Sequence, residues 1–494
     1  WDRSKVALIS GGGSGHEPAH AGFVGPGMLT AAVCGEVFAS PSVDAVLAGI
    51  LAVTGDAGCV LIVKNYTGDR LNFGLAAERA RALGHAVEMV VVDDDVALPD
   101  LAQPRGVAGT LFVHKIAGAL AERGAPLADV AATARAVVAK TASLGKSLDT
   151  CTVPGSDKED RIPAGKAELG LGIHGEPGVE QVVFSGASDA MDQVLAKLRP
   201  HVKEGPCVAL VNNLGSTTPL EMSVLCHGLE KAGIATHVVG PAPMMTSLDM
   251  HGFSVSVLPV TDAELDALAM PVPMPAWPAM QPLTTPAVSA LPVWLALKAP
   301  VPSSDDKVRA MLSHAADVLI GAEATLNALD AKSGDGDTGS TLATAARALQ
   351  GKLDQLPLAD PPTLFRALGN ELSQTMGGSS GVIMAIFFNA TGDACINGVS
   401  MSAALKQGMS RVSEVGGARV GDRTMIDALA PALDALGDGV QAAATAARAG
   451  ANSTAGIHNA KAGRAAYVPS ENLKDNNDPG AEAVALVFEG LAEL

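Results

Sequence analysis

Leu329-Asp330-Ala331-Lys332-Ser333-Gly334-Asp335-Gly336-Asp337-Thr338-Gly339-Ser340-Thr341 carries three carboxylates within eight residues, the last two separated by one glycine. A run of helix-forming composition, Leu342 to Leu349, follows directly. Acidic oxygens clustered on a glycine-bearing loop suit a hard divalent cation. A helix that starts straight afterwards points free backbone N–H groups at whatever anion that cation holds. Metal and helix N-terminus together make a phosphate site, here Mg²⁺ with a nucleotide. An EF-hand is excluded, because it needs an oxygen-bearing side chain where Gly339 stands and glutamate where Ala346 stands. The plainer alternative makes Asp335 and Asp337 solvated turn residues, with a serine or threonine as N-cap.

Around that stretch the chain reads as helical from Ser303-Ser304-Asp305-Asp306, a ready N-cap, almost to its end. Val308, Met311, Leu312, Ala315 and Leu319 recur at helical spacing and so belong to a core. Further helices are expected over 340–349, 362–374, 403–414, 424–436, 440–448 and 481–491. Between them lie Met376-Gly377-Gly378-Ser379-Ser380-Gly381, a Gly416–Met425 loop and Asp478-Pro479-Gly480. Loops this rich in Gly, Ser, Thr and Asp offer hydroxyls and N–H groups to phosphate. Their recurrence points to one end of a helical bundle making one pocket.

The first half alternates strand and helix. Lys5–Ile9 reads as a buried strand running into Ser10-Gly11-Gly12-Gly13-Ser14-Gly15-His16-Glu17-Pro18. This is not the dinucleotide GxGxxG spacing. Gly145-Lys146-Ser147 imitates a P-loop, but its leading glycine position holds Lys140. Strands are expected at Cys59–Val63 and Ala86–Val92, with helices at 44–54, 70–83, 106–123 and 127–144. That alternation implies a mostly parallel sheet with ligands at the carboxyl ends of its strands. His16, Lys64 and Asp69 all fall near such ends. A second α/β part follows, with strands near 207–211, 236–239 and 253–258. Gly170-Leu171-Gly172-Ile173-His174-Gly175-Glu176-Pro177-Gly178 sets one histidine among four glycines. His174 is either a turn histidine bonded to backbone or an imidazole left reachable as a nucleophile.

The 494 residues exceed what one core usually serves. A composition of 48% hydrophobic and 17% charged residues is that of a globular chain. Net charge −18 argues against nucleic acid or an anionic membrane as partner. No signal peptide opens the chain, and six cysteines without metal spacing suit a reducing compartment, so a cytoplasmic protein is expected. The longest uncharged segment, 267–297, holds seven prolines and cannot be a membrane helix. Its Pro-rich composition reads as a tether.

Taken together, Ser10–Pro18, Lys64–Asp69, Gly170–Gly178, Asp330–Thr341, Met376–Gly381 and Gly421–Met425 resemble the dihydroxyacetone kinase family over essentially the whole chain. The resemblance implies a multidomain α/β plus all-α fold: a two-part α/β substrate domain over 1–269, a Pro-rich linker over 270–302, and an ATP-binding antiparallel α-helical barrel over 303–494. Both domains share one polypeptide, which resembles the ATP-dependent form. The implied reaction is ATP-dependent phosphorylation of dihydroxyacetone, with Mg²⁺, in a homodimer. By the same resemblance His174 binds the ketone carbon as a hemiaminal. Gly13, Ser14, Gly15, His16 and Lys64 hold the triose, and Asp69 takes the hydroxyl proton with His16 beside it. Asp330, Asp335 and Asp337 hold magnesium, and Asp337, Thr338, Gly339, Ser340, Ser379 and Ser380 meet the phosphates. Gly416, Thr424 and Met425 line the adenine end, with Asp478, Pro479 and Gly480 near the nucleotide. The alternatives are glyceraldehyde or a four-carbon ketose such as erythrulose as substrate, FAD cyclisation as a side activity, and a ketose-binding regulatory protein.

Overall fold

The computed structural model describes residues 1–98, 103–292 and 299–494 and forms two compact units, Trp1–Ser289 and Ala290–Leu494. Residues 293–298 of the expected tether lie outside the described residues.

In the first unit β1 (Ala7–Ser14), β2 (Ala31–Val37), β3 (Cys59–Lys64) and β4 (Val87–Val92) make a wholly parallel sheet in the order β2-β1-β3-β4. Side chains alternate across a strand, so β1 and β3 bury both faces, and their stretches Ala7–Ile9 and Cys59–Val63 are continuously apolar. Ala7, Ile9, Leu61 and Val63 pack with Val46, Ile50, Phe73 and Ala77 of the helices Val43–Val53 and Thr67–Ala82. Leu8, Val60 and Ile62 turn the other way, toward Leu111, Phe112 and Ile116 of the helix Thr110–Glu122 and Val130 and Ala134 of Leu127–Val138. Full burial of each such side chain contributes about 1.5–3 kcal/mol.

The remaining strands are β5 (Ala142–Ser147), β6 (Lys166–Leu169), β7 (Glu180–Val183), β8 (Cys207–Asn213), β9 (His237–Ala242), β10 (Gly252–Pro259) and β11 (Gln281–Pro282). They form a second sheet in the order β11-β9-β8-β10-β5-β6-β7. The expectation of a mostly parallel sheet holds for the first sheet and does not extend to this one: of these pairings only β8 with β9 is parallel. The helix Pro219–Ala232 provides a crossover between β8 and β9, whereas β10 is reached from β9 by a loop without one. Two further readings need correction. The helix expected over 127–144 ends at Val138, and Ser143 instead sits in β5, where its hydroxyl meets Asp94 and Ser256. An alanine- and valine-rich run does not reveal that break by its periodicity. The first strand also continues through the glycines to Ser14.

The second unit is helical. Asp306–Gly321, Thr338–Gln350, Pro361–Thr375, Gly378–Ile396, Met401–Gly416, Ile426–Ala435 and Pro479–Ala492 each neighbour the next, and the last returns to the first, so they close a ring. Glu323–Ser333 and Val440–Ser453 pack against it. Asp305 caps the first helix through the N–H groups of Lys307 and Val308. Alanines four apart (428 and 432, 447 and 451, 481 and 485) make one small-residue core that lets three helices approach closely. Gly378–Ile396 has the length and apolar content of a membrane span, and it lies within this ring.

Candidate active site

In the first unit the site gathers at the carboxyl ends of β1 and β3. Lys64 is the last residue of β3, and Asp69 sits in the first turn of the helix that follows; both side chains are buried. Gly12, within β1, is the point where that strand faces them. Its φ is +140°, and a Cβ there would lie 2.7 Å from Lys64 Nζ and 3.4 Å from Asp69 Oδ2. His16, two residues past β1, is fully buried and bonds through Nδ1 to the carbonyl of Thr246 at 2.8 Å. A carbonyl only accepts, so Nδ1 carries the proton and Nε2 keeps its lone pair. Gly13 presses on the backbone of Phe38 and Ala39, Ser14 Oγ donates to Gly35 O at 2.7 Å, and Gly15 O accepts from Leu248 N at 2.8 Å.

His174 enters from the second sheet's side of this unit. Its ring meets those of Tyr66, His16 and Phe38 edge-on, with centroids 4.4, 4.9 and 5.3 Å away. His174, His16 and Tyr66 are therefore brought together although they lie far apart in the chain. Among the described residues His16 Nε2, Asp69 Oδ1 and Tyr66 Oη are buried with no hydrogen-bond partner. Native proteins rarely leave such atoms orphaned; two of the three belong to rings packed on His174, and the third lies beside Lys64 at Gly12. Burial, reinforced by the Lys64 charge, drives the His16 pKa well below the usual imidazole range, so it stays neutral and can accept.

Lys64 is backed by residues the sequence did not single out. Its ammonium donates to His20 Nε2 at 3.0 Å, and His20 Nδ1 in turn donates to His114 Nε2 at 2.9 Å. Burial lowers the pKa of all three, with His114 pushed down to about 3, so both imidazoles remain neutral acceptors. The sequence assigned no role to Tyr66, Phe38, His20, His114 or Glu176. Tyr66 and Glu176 stood inside the quoted motifs and His20 two residues past one, whereas Phe38 and His114 carried no local signal.

In the second unit Asp330, Asp335 and Asp337 present carboxylate oxygens that all lie within 4.8 Å of one another. Asp330 is buried at the end of its helix and accepts from the N–H groups of Asp337 and Thr338 at 3.0 and 3.2 Å, which folds the loop back on itself. Asp335 also pairs with Arg464. This donor set is all hard oxygen, and it adjoins the start of the helix Thr338–Gln350, so it fits Mg²⁺. Ser340 N is already taken by Asn327 Oδ1 at 3.0 Å, and Gly339 is buried against Glu323 O. Ser379 and Ser380 are exposed in the first turn of Gly378–Ile396.

The Gly416–Met425 loop and Asp478–Gly480 are tied together. A Cβ on Gly480 would lie 3.3 Å from Met425 Cβ, and Asp427 holds the N–H groups of Gly421 and Thr424. The buried Arg423 donates to Asn476 O at 2.9 Å, and Lys332 beside the carboxylates reaches Asn476 Oδ1 at 2.7 Å. Gly416 itself is exposed at the end of its helix. Asp478 caps Pro479–Ala492 through Ala481 N at 2.9 Å; burial raises its pKa to about 6, against the pull of Arg423.

The sequence model of the Dak1 domain matches residues 2–276, and that of the DAK2 domain matches residues 332–493. The chain is 48% identical to a dihydroxyacetone kinase of Citrobacter freundii, covering 100% of this chain and 91% of that one. It is 39% identical to a triokinase/FMN cyclase of Rattus norvegicus, again over 100% of this chain and 91% of the relative. The crystal structure of the C. freundii dihydroxyacetone kinase in complex with AMP-PNP and Mg²⁺ superposes with a TM-score of 0.61 at 46% identity, covering 100% and 91% of the two chains.

Proposed function

The chain belongs to the dihydroxyacetone kinase family, and on that footing we propose that it is an ATP-dependent kinase that captures dihydroxyacetone covalently at His174 and phosphorylates its terminal hydroxyl. The observation that carries this reading is that His16 and Tyr66, whose Nε2 and Oη are buried and unpartnered among the described residues, pack on the His174 ring, while the equally unpartnered Asp69 Oδ1 belongs to the carboxylate beside Lys64 at Gly12.

Each group has a chemical task. Lys64 donates to a substrate oxygen, and His16 Nε2 accepts from a hydroxyl. Asp69 takes the proton of the attacking hydroxyl, as a base in hydrogen-bond reach must. His174 needs a carbonyl carbon, so glycerol is refused by its chemistry. Gly13 to Gly15 supply backbone against the triose. In the second unit Asp330, Asp335 and Asp337 would hold Mg²⁺, which neutralises phosphate oxygens when bound. Thr338 to Ser340, Ser379 and Ser380 would meet the phosphates. Gly416, Thr424, Met425 and Asp478 to Gly480 would line the rest of the nucleotide. Phosphoryl transfer asks the protein mainly for position and charge compensation, and these groups supply both.

The domain limits 1–269, 270–302 and 303–494, a homodimer and a cytoplasmic location belong to the same proposal. Free cysteines support the location, and light scattering tests the dimer. The similarity to a triokinase/FMN cyclase favours glyceraldehyde phosphorylation and flavin-nucleotide cyclisation as second activities. A binding-only regulator has no use for three carboxylates at a helix start. ADP release measured with Mg²⁺ over dihydroxyacetone, glyceraldehyde, erythrulose and glycerol tests the whole reading. Turnover with the carbonyl compounds and none with glycerol is expected; no ADP release with any of them overturns it.

A further inference from the structure

Two residues past His174, Glu176 turns its carboxylate back onto the same loop. Oε2 accepts the His174 backbone N–H at 2.8 Å, and Oε1 lies 3.3 Å from His174 Nδ1. The loop is itself anchored, since Arg105 donates to Asp95 Oδ2 at 2.7 Å and to Gly170 O at 2.9 Å. Only glycine fits at 172, where a Cβ would lie 2.3 Å from Glu176 Oε2 and 2.9 Å from an Arg105 nitrogen. Burial works to raise the Glu176 pKa, but the bonds from His174 outweigh it and hold the pKa down to about 2, so the group is ionised at neutral pH.

An ionised carboxylate can only accept. Facing Nδ1, it makes that nitrogen the protonated one and leaves the lone pair on Nε2. A histidine side chain in water prefers the opposite tautomer, with its proton on Nε2, which leaves that atom no lone pair for attack. Among the described residues His174 Nε2 has no hydrogen-bond partner, and the rings of Tyr66, His16 and Phe38 stand around the imidazole.

We propose that Glu176 is a positioning residue for substrate capture: it locks His174 as the Nδ1–H tautomer, aims the Nε2 lone pair at the carbonyl carbon, and offsets the positive charge that appears on the ring as the C–N bond forms. This rests on the reading of His174 as the carbonyl-trapping residue. In the step, the Nε2 lone pair makes the C–N bond and the C=O π pair moves to oxygen, which takes a proton from water. The imidazolium Nδ1–H stays on Glu176 until it is released to water. One proton is gained and one lost, with no redox change.

The test uses the full chain, ¹³C-labelled dihydroxyacetone and ¹⁵N-histidine. The adduct carbon is read by ¹³C NMR and the His174 tautomer by ¹⁵N shifts, assigned by their loss in His174→Ala. Glu176→Gln has the same shape but one acceptor oxygen, so it cannot serve both His174 N–H groups. Expected are a wild-type adduct with Nδ1–H, and for Glu176→Gln a shift toward Nε2–H with adduct affinity lower by about tenfold or more, the scale of one lost charge-assisted hydrogen bond. ATP affinity and the unfolding midpoint, unchanged in the variant, mark an intact fold. A variant that keeps the wild-type tautomer and adduct affinity overturns the role of Glu176 while leaving His174 as the trap. Absence of any wild-type adduct overturns the His174 reading and this inference with it.

Discussion

Gly12→Ala is the sharpest test of the triose pocket. The residue sits at φ +140°, and the added methyl would lie 2.7 Å from Lys64 Nζ and 3.4 Å from Asp69 Oδ2. The lysine has little room to withdraw, because it is fully buried with His20 Nε2 3.0 Å behind it and His114 behind that. Two effects follow and can be separated. Backbone strain costs about 1–3 kcal/mol of stability, which lowers the melting temperature of this large unit by several degrees. Displacing Nζ removes a charged hydrogen bond to substrate, about 1.5–3 kcal/mol, so kcat/KM for dihydroxyacetone drops by roughly 10- to 150-fold. ATP affinity is the internal control, since the nucleotide groups belong to the other compact unit. Steady-state ADP release with the triose varied, beside a nucleotide titration, reads both. An alanine variant with wild-type kcat/KM for the triose would refute the placement of Lys64 and Gly12 at the substrate.

In Asp330→Asn the amide oxygen can still accept from Asp337 and Thr338, so the helix start persists while a ligand charge is lost; the Mg²⁺ concentration for half-maximal ADP release rises by about tenfold or more, read by metal titration. His174→Ala weakens ketone binding and the discrimination against glycerol, with ATP affinity retained; unchanged selectivity in competition assays counts against the covalent role. For Asp478, burial raises the folded pKa to about 6 from an ordinary 3.8, so the folded state holds the extra proton between those values. Its contribution to stability is present below pH about 3.8 and is lost as pH rises through about 6, on the order of 3 kcal/mol in all. Urea unfolding from pH 4 to pH 7 reads this, and Asp478→Asn removes that slope.

Most helices of the second unit were legible because their signals are local. Asp305 caps one, Pro361 and Pro479 occupy first turns, and Ser400 caps another; each acts on N–H groups within three residues. The metal cluster was legible for the same reason: its carboxylates share one short loop. The second sheet was not, since strand direction depends on how the chain returns between strands, and an apolar strand looks alike in either direction. Glu176 stood in full view beside His174, yet its task follows only from the direction in which the loop folds its carboxylate.

The sequence by itself determined the residue types at each end of the reaction, the hard oxygen donors of one helix start and the imidazoles and glycines of the strand ends. Periodicity and capping act over a few residues, so they survive reading in one dimension. Only the tertiary structure decided which of these groups meet: His16 reaches Thr246 across 230 residues, and His20 reaches His114 across 94. Such partners are chosen by burial of whole sheet faces, a property of the packed chain that no short window contains.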